Sequence, residues 1–201
     1  MRFPRHTASS MLIGAAALLA ADTASAHSGT GLAGGFASGF AHPFSGLDHL
    51  LAMVAVGLWG AVLGRPLIVA LPVAFPAMMV VGAGLGMFGM PMPPVELGIA
   101  LSVLMLGGAI ALSWRAPVVV AVAIVAVFAL FHGYAHGKEL PSAADPIGYS
   151  AGFVFATGLL HLAGIAIGTV RDRRGGAMAT QACGTAIAFA GVIFLYRMTF
   201  A

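Results

Sequence analysis

Charge is what this chain has least of. Lysine, arginine, aspartate and glutamate together are 7% of 201 residues, against 60% hydrophobic, and the mean hydropathy is +1.02. A water-facing shell needs far more ionisable side chains than that, which excludes a soluble domain. The sequence pI near 9.6 comes from a few arginines at loop positions, not from a basic face, so a nucleic-acid partner is excluded as well. Cys183 is the single cysteine: no intrachain disulfide exists, and in its apolar segment it reads as a small packing residue. No GxxxxGK[ST] stretch occurs and no loop could hold a nucleotide-binding domain, which excludes ATP-driven pumping by this chain alone.

What the chain has instead is long apolar runs, several of them near the roughly 20 residues that cross a bilayer as a helix. The first 26 residues differ from the rest. Arg2 and Arg5 precede a short apolar run from Met11 to Ala21, and Ala24-Ser25-Ala26 follows as a small-x-small cleavage pattern. The expectation is a signal peptide over 1–26, removed after Ala26, and a single membrane domain over 27–201. Hydropathy divides that domain into six expected transmembrane helices at 47–64, 66–90, 95–114, 117–135, 147–170 and 177–198. The breaks combine charge with helix breakers: Gly64-Arg65-Pro66, Pro91 to Pro94, Arg115-Ala116-Pro117 and the cluster from Arg171 to Gly176. Residues 29–41 are apolar and glycine-rich but too short to cross, which suits a half-helix or a lid. The fold class is therefore an all-α polytopic helix bundle.

Orientation follows from the arginines. With the mature N-terminus outside, Arg65, Arg115, Arg171, Arg173 and Arg174 fall in cytoplasmic loops, leaving Lys138 and Arg197 at the other face. The expected setting is a bacterial inner membrane with a periplasmic N-terminus. The same topology gathers the polar residues at the outer end. His42-Pro43-Phe44-Ser45-Gly46-Leu47-Asp48-His49 opens the first helix, and His132 and His136 end the fourth at i, i+4, on one helical face. Glu96 starts the third helix on the same side, and His161 lies deeper, in the fifth. Ionisable groups in a membrane are expensive and mark ion pathways, relays or metal sites, and imidazole with carboxylate suits divalent first-row metals.

Each residue also has a plainer role. Asp48 suits a helix N-cap. His132 and His136 could reach to interfacial water, and His161 could hydrogen-bond a neighbouring helix. His27 would add a terminal amine beside an imidazole, or a loose end. Met87, Met90 and Met92 are soft ligands fit for copper(I), but methionine is common apolar filler and Pro91 and Pro93 suit a helix exit. Gly82, Gly84, Gly86, Gly107 and Gly108 look like close helix packing.

The run from His42 through Asp48 and His49 to Trp59 resembles the signature of the HupE/UreJ family, the hydrogenase and urease accessory membrane proteins. The likeness continues through Glu96, Phe131-His132-Gly133-Tyr134-Ala135-His136-Gly137-Lys138-Glu139 and Gly158-Leu159-Leu160-His161. It implies a nickel permease, with cobalt as the second candidate, supplying metal to nickel enzymes. It also implies functional roles for His42, Asp48 and His49, and for Glu139, the acidic residue that closes the second motif. The expected function is passage of Ni²⁺ or Co²⁺ through His42, Asp48, His49, His132, His136, Glu139 and His161, with Glu96 and His27 as additional candidates. The ion is cargo. The expectation includes no prosthetic group and no enzymatic activity, and its partners are the bilayer, the metal ion and a cytoplasmic nickel chaperone. Two other classes stay open: an intramembrane hydrolase built on bound zinc, and a bis-histidine haem protein using a pair such as His132 and His161. Ser45 and Ser102 are the serines near enough to serve a hydrolase, and neither has a nucleophile motif.

Overall fold

The computed structural model describes residues 35–139 and 145–200. The expected signal peptide and His27 lie outside the described residues. All regular structure in them is helical: α1 Phe36–Ser45, α2 Leu47–Leu63, α3 Leu67–Met87, α4 Val95–Ala111, α5 Val118–Glu139, α6 Pro146–Thr169 and α7 Gly176–Phe200. A 3₁₀ turn, Val170–Asp172, follows α6. Every one of the six expected segments is a helix, but they are not equal as spans. Four, α3, α5, α6 and α7, are long and apolar enough to cross a membrane. At 17 residues α2 passes that test only together with α1, across an 89° bend, which makes five. The 17 residues of α4 rise about 26 Å, short of a hydrocarbon core of about 30 Å.

Two local readings are corrected. The fourth expected helix does not stop at 135: α5 runs on to Glu139. Gly133 and Gly137 do not break it, because their bare Cα atoms lie against the backbone of Met79 and Ala83 on α3, where a Cβ would collide. Cys183, expected as a packing residue, is exposed on α7. Of the apolar stretch at 29–41, the part from Phe36 onward belongs to α1, which lies on α6. Asp145 caps α6: its carboxylate accepts the Gly148 N–H at 2.9 Å, with Pro146 in the first turn.

The bundle is assembled from tight helix pairs. α3 runs parallel to α5, α2 runs parallel to α6, and α4 lies antiparallel to α7. Where α2 meets α6, Gly57 stands against the His161 carbonyl and Gly164 against that of Val54. α2 is the central element, with Met53, Val56, Leu58 and Trp59 wholly buried, and it packs on α3, α4 and α6. These pairings place the start of α2, the end of α3, the start of α4, the end of α5 and the start of α6 at one end of the bundle. Arg115 and Arg171 lie at the opposite end, where with Gly64 and Asp172 they line a cavity of about 320 Å³.

Candidate metal-ion site

Four imidazoles from three helices converge at the first of these ends. α1 carries His42, the first turn of α2 carries His49, and the last turns of α5 carry His132 and His136. The His49 ring lies edge-on to His132 and against His136, with centroids 4.8 Å apart in both cases. The His42 ring meets His136 at 4.9 Å. The i, i+4 face expected on α5 is thus completed by rings from two other elements, and His49 stands against both of its histidines. Burial deepens along the set: the side chains of Asp48 and His49 are 30% and 15% exposed, whereas His132 is wholly buried.

Asp48 lies at the surface of this cluster. One oxygen of its carboxylate accepts both the His49 backbone N–H, at 2.8 Å, and the His49 ring Nδ1, at 2.9 Å. The cap position itself belongs to Gly46, so Asp48 satisfies one first-turn N–H from inside the helix while also holding the ring. A carboxylate can only accept, so His49 carries its hydrogen on Nδ1 and leaves the Nε2 lone pair for another partner. That Nε2 is buried and has no hydrogen-bond partner among the described residues. Ligand histidines characteristically have their other nitrogen held in this way.

His161 repeats the arrangement deeper down. Its Nδ1 lies 2.8 Å from the Met53 carbonyl, again an acceptor only, and its Nε2 is buried without a partner among the described residues. So the plain role expected of His161, a hydrogen bond to another helix, occupies one nitrogen and presents the other. Phe75, wholly buried on α3, separates His161 from the upper cluster: its ring lies 5.4 Å from His161 and 5.6 Å from His132.

Other expected residues fall elsewhere. Glu96 is exposed in the first turn of α4. Glu139 is the last residue of α5, and its side chain lies outside the described residues. Met87 and Met90 face outward, half exposed, and the Met90 carbonyl accepts the Tyr134 hydroxyl at 2.8 Å. Among the described residues, no three His, Cys, Asp or Glu side chains form a group that could hold one metal ion together. Sequence reasoning missed the groups that pack the imidazoles: Phe75, Phe153 against His136 at 4.4 Å, and Tyr149 against His42 at 5.7 Å. In so apolar a chain an aromatic residue gives no signal. Ser102 was visible as a hydroxyl inside an apolar helix, and its Oγ proves to lie 3.0 Å from His132 Nε2.

Comparison with known proteins agrees with the motif reading. A family model described as HupE / UreJ protein matches residues 15–194. Protein HupE of Rhizobium leguminosarum bv. viciae is 45% identical over 171 residues, covering 85% of this chain and 90% of the relative. No solved structure matches.

Proposed function

This chain belongs to the HupE/UreJ family and is a multi-pass membrane protein, and on that premise we propose that it is a permease for a divalent transition metal. Nickel is the first candidate and cobalt the second, with nickel enzymes such as hydrogenase or urease as the destination. The observation that carries the reading is the convergence of His42, His49, His132 and His136, with the Asp48 carboxylate at its exposed edge. In this reading Asp48 attracts the hydrated ion and stabilises its partial dehydration. Imidazole nitrogens then replace water in turn, a donor type that favours nickel over magnesium and calcium, whose shells are oxygen. The donors act as neighbouring pairs passed in sequence, since an ion that must leave again needs weak, divided sites. Past Phe75, His161 Nε2 is the next nitrogen. The cavity lined by Arg115 and Arg171 is the inner mouth, where positive charge disfavours rebinding. The ion is cargo, only its coordination shell is exchanged, and a cytoplasmic chaperone takes it up.

An inside-negative membrane potential supplies about 4.6 kcal/mol per 100 mV to a divalent ion, enough to drive entry without coupling. Purified protein in liposomes that enclose a nickel-quenched dye should therefore admit Ni²⁺ faster as a potassium diffusion potential is raised. Co²⁺ should compete and excess Mg²⁺ should not. Flux equal to that of protein-free liposomes would end the permease reading.

The proposed orientation places the histidine end at the periplasm of a bacterial inner membrane. Reporter fusions after Arg65, Arg115 and Arg174 should read cytoplasmic, and fusions near Pro93 and Ala143 external. The reverse pattern would put the histidines on the release side.

A further inference from the structure

His132 differs from His49 and His161 in what holds its ring: a hydroxyl, which can donate or accept. Ser102 on α4 is wholly buried, and its Oγ lies 2.6 Å from the Ile99 carbonyl and 3.0 Å from His132 Nε2. A hydroxyl has one hydrogen. The Ile99 carbonyl can only accept, and at 2.6 Å two bare oxygens would repel, so the hydrogen points at Ile99. Only lone pairs then face His132, and Nε2 must be the donor. A neutral imidazole has a single N–H, so His132 Nδ1 carries a lone pair. That Nδ1 is buried with no hydrogen-bond partner among the described residues, on a ring set edge-on to His49 at 4.8 Å.

We propose that Ser102 is a positioning residue that locks His132 in the Nε2–H tautomer, so that His132 Nδ1 and His49 Nε2 together make a two-nitrogen step for a divalent transition ion. The lock stands on geometry alone; the step rests on the permease reading. The serine's role is specific to one polarity. Asp48 and the Met53 carbonyl accept whatever surrounds them, but Ser102 accepts from His132 only because Ile99 takes its hydrogen. The same bond to Ile99 removes Ser102 as a nucleophile activated by His132, since no hydroxyl hydrogen faces the ring. Without the hydroxyl neither nitrogen has a partner, so the preference for Nε2–H is lost and a fraction of the protons sits on Nδ1, where it blocks the ligand position.

The test uses the full-length protein in lipid nanodiscs with ¹⁵N-histidine, the His132 signals being assigned by their loss in His132→Asn. Wild type should show a protonated Nε2 and a bare Nδ1 at His132. Ser102→Ala should protonate Nδ1 in a measurable fraction, and Ser102→Thr, which keeps the hydroxyl, should restore the wild-type pattern. In nickel uptake, Ser102→Ala should raise the half-saturating Ni²⁺ concentration about tenfold, as loss of a group holding a ligand histidine does, while the maximal rate changes much less and Ser102→Thr recovers both. A wild-type His132 protonated on Nδ1 overturns the lock without any variant, so a poorly folding alanine variant leaves the proposal open to refutation. An unchanged ¹⁵N pattern in Ser102→Ala overturns it too. A changed pattern with unchanged half-saturation rejects the two-nitrogen step. Absence of nickel uptake by wild type would reject the permease reading itself, with the ¹⁵N result still deciding the lock.

Discussion

Asp48→Asn is expected to bring uptake at limiting nickel down to background while leaving the protein inserted and folded. Asparagine keeps the size and one acceptor oxygen, so the bond from the His49 backbone N–H, at 2.8 Å, has a replacement and the start of α2 survives. Two things are lost. One is the negative charge at the exposed edge of the cluster, which offsets the cost of stripping water from a divalent ion. The other is the charged partner of His49 Nδ1, which fixes that ring with Nε2 presented. Loss of a group that holds a ligand histidine costs about 10–100-fold in metal affinity by itself, and the missing charge adds to it. Radioactive nickel uptake in cells lacking other nickel importers, normalised to protein in the membrane fraction, measures the effect. Near-normal uptake at equal protein level would place the carboxylate outside the ion's path.

Gly57→Ala is expected to damage the fold and, through it, the site. A Cβ at Gly57 would collide with the His161 carbonyl oxygen, with the carbonyl carbon 2.8 Å away and Cα 3.0 Å away. All three atoms are backbone, so no rotamer relieves the clash and α2 must part from α6. Overpacking of this kind costs about 1–3 kcal/mol, against the gain of up to about 1 kcal/mol that alanine normally brings to a helix. The His161–Met53 hydrogen bond, one turn away on α2, opens with the same displacement. The variant should melt lower in detergent, followed by size-exclusion chromatography after heating, and should transport poorly. Gly158→Ala on α6 is the control, because a Cβ there meets nothing within 4 Å, and it should melt no lower than wild type. If Gly57→Ala matches that control, the two backbones do not meet as described.

The glycines explain why some of the site was legible and some was not. His132 and His136 were recognisable as one face from their spacing, because helical periodicity is a property of a few consecutive residues. That His49 stands against both of them was not. It depends on how α2 and α5 are rotated and how closely they approach, which is set by contacts such as Gly57 on His161 and Gly133 on Met79, far apart in the chain. The same contacts account for the misplaced end of α5, which was expected at 135 and runs on to Glu139 with Gly133 and Gly137 as close-packing positions against α3. Glu96 shows the opposite limit. Its register put it at the correct end of the bundle, yet its side chain is exposed in the first turn of α4, a matter of side-chain direction and not of topology.

By itself the sequence determined the membrane class, the positions of the helices, the clustering of histidines at one end and arginines at the other, and the family. All of these are sums over local composition or matches to contiguous motifs, and they survive small errors in packing. Only the tertiary structure decided which imidazoles touch, that Phe75 separates His161 from the rest, that α1 bends 89° from α2 to bring His42 in, and which nitrogen of each held ring is engaged. Those are questions of an ångström or two between helices. Their answers come from the hydrogen-bond polarity of Asp48, Ser102 and the Met53 carbonyl, groups that the chain brings to the rings only once the helices have packed.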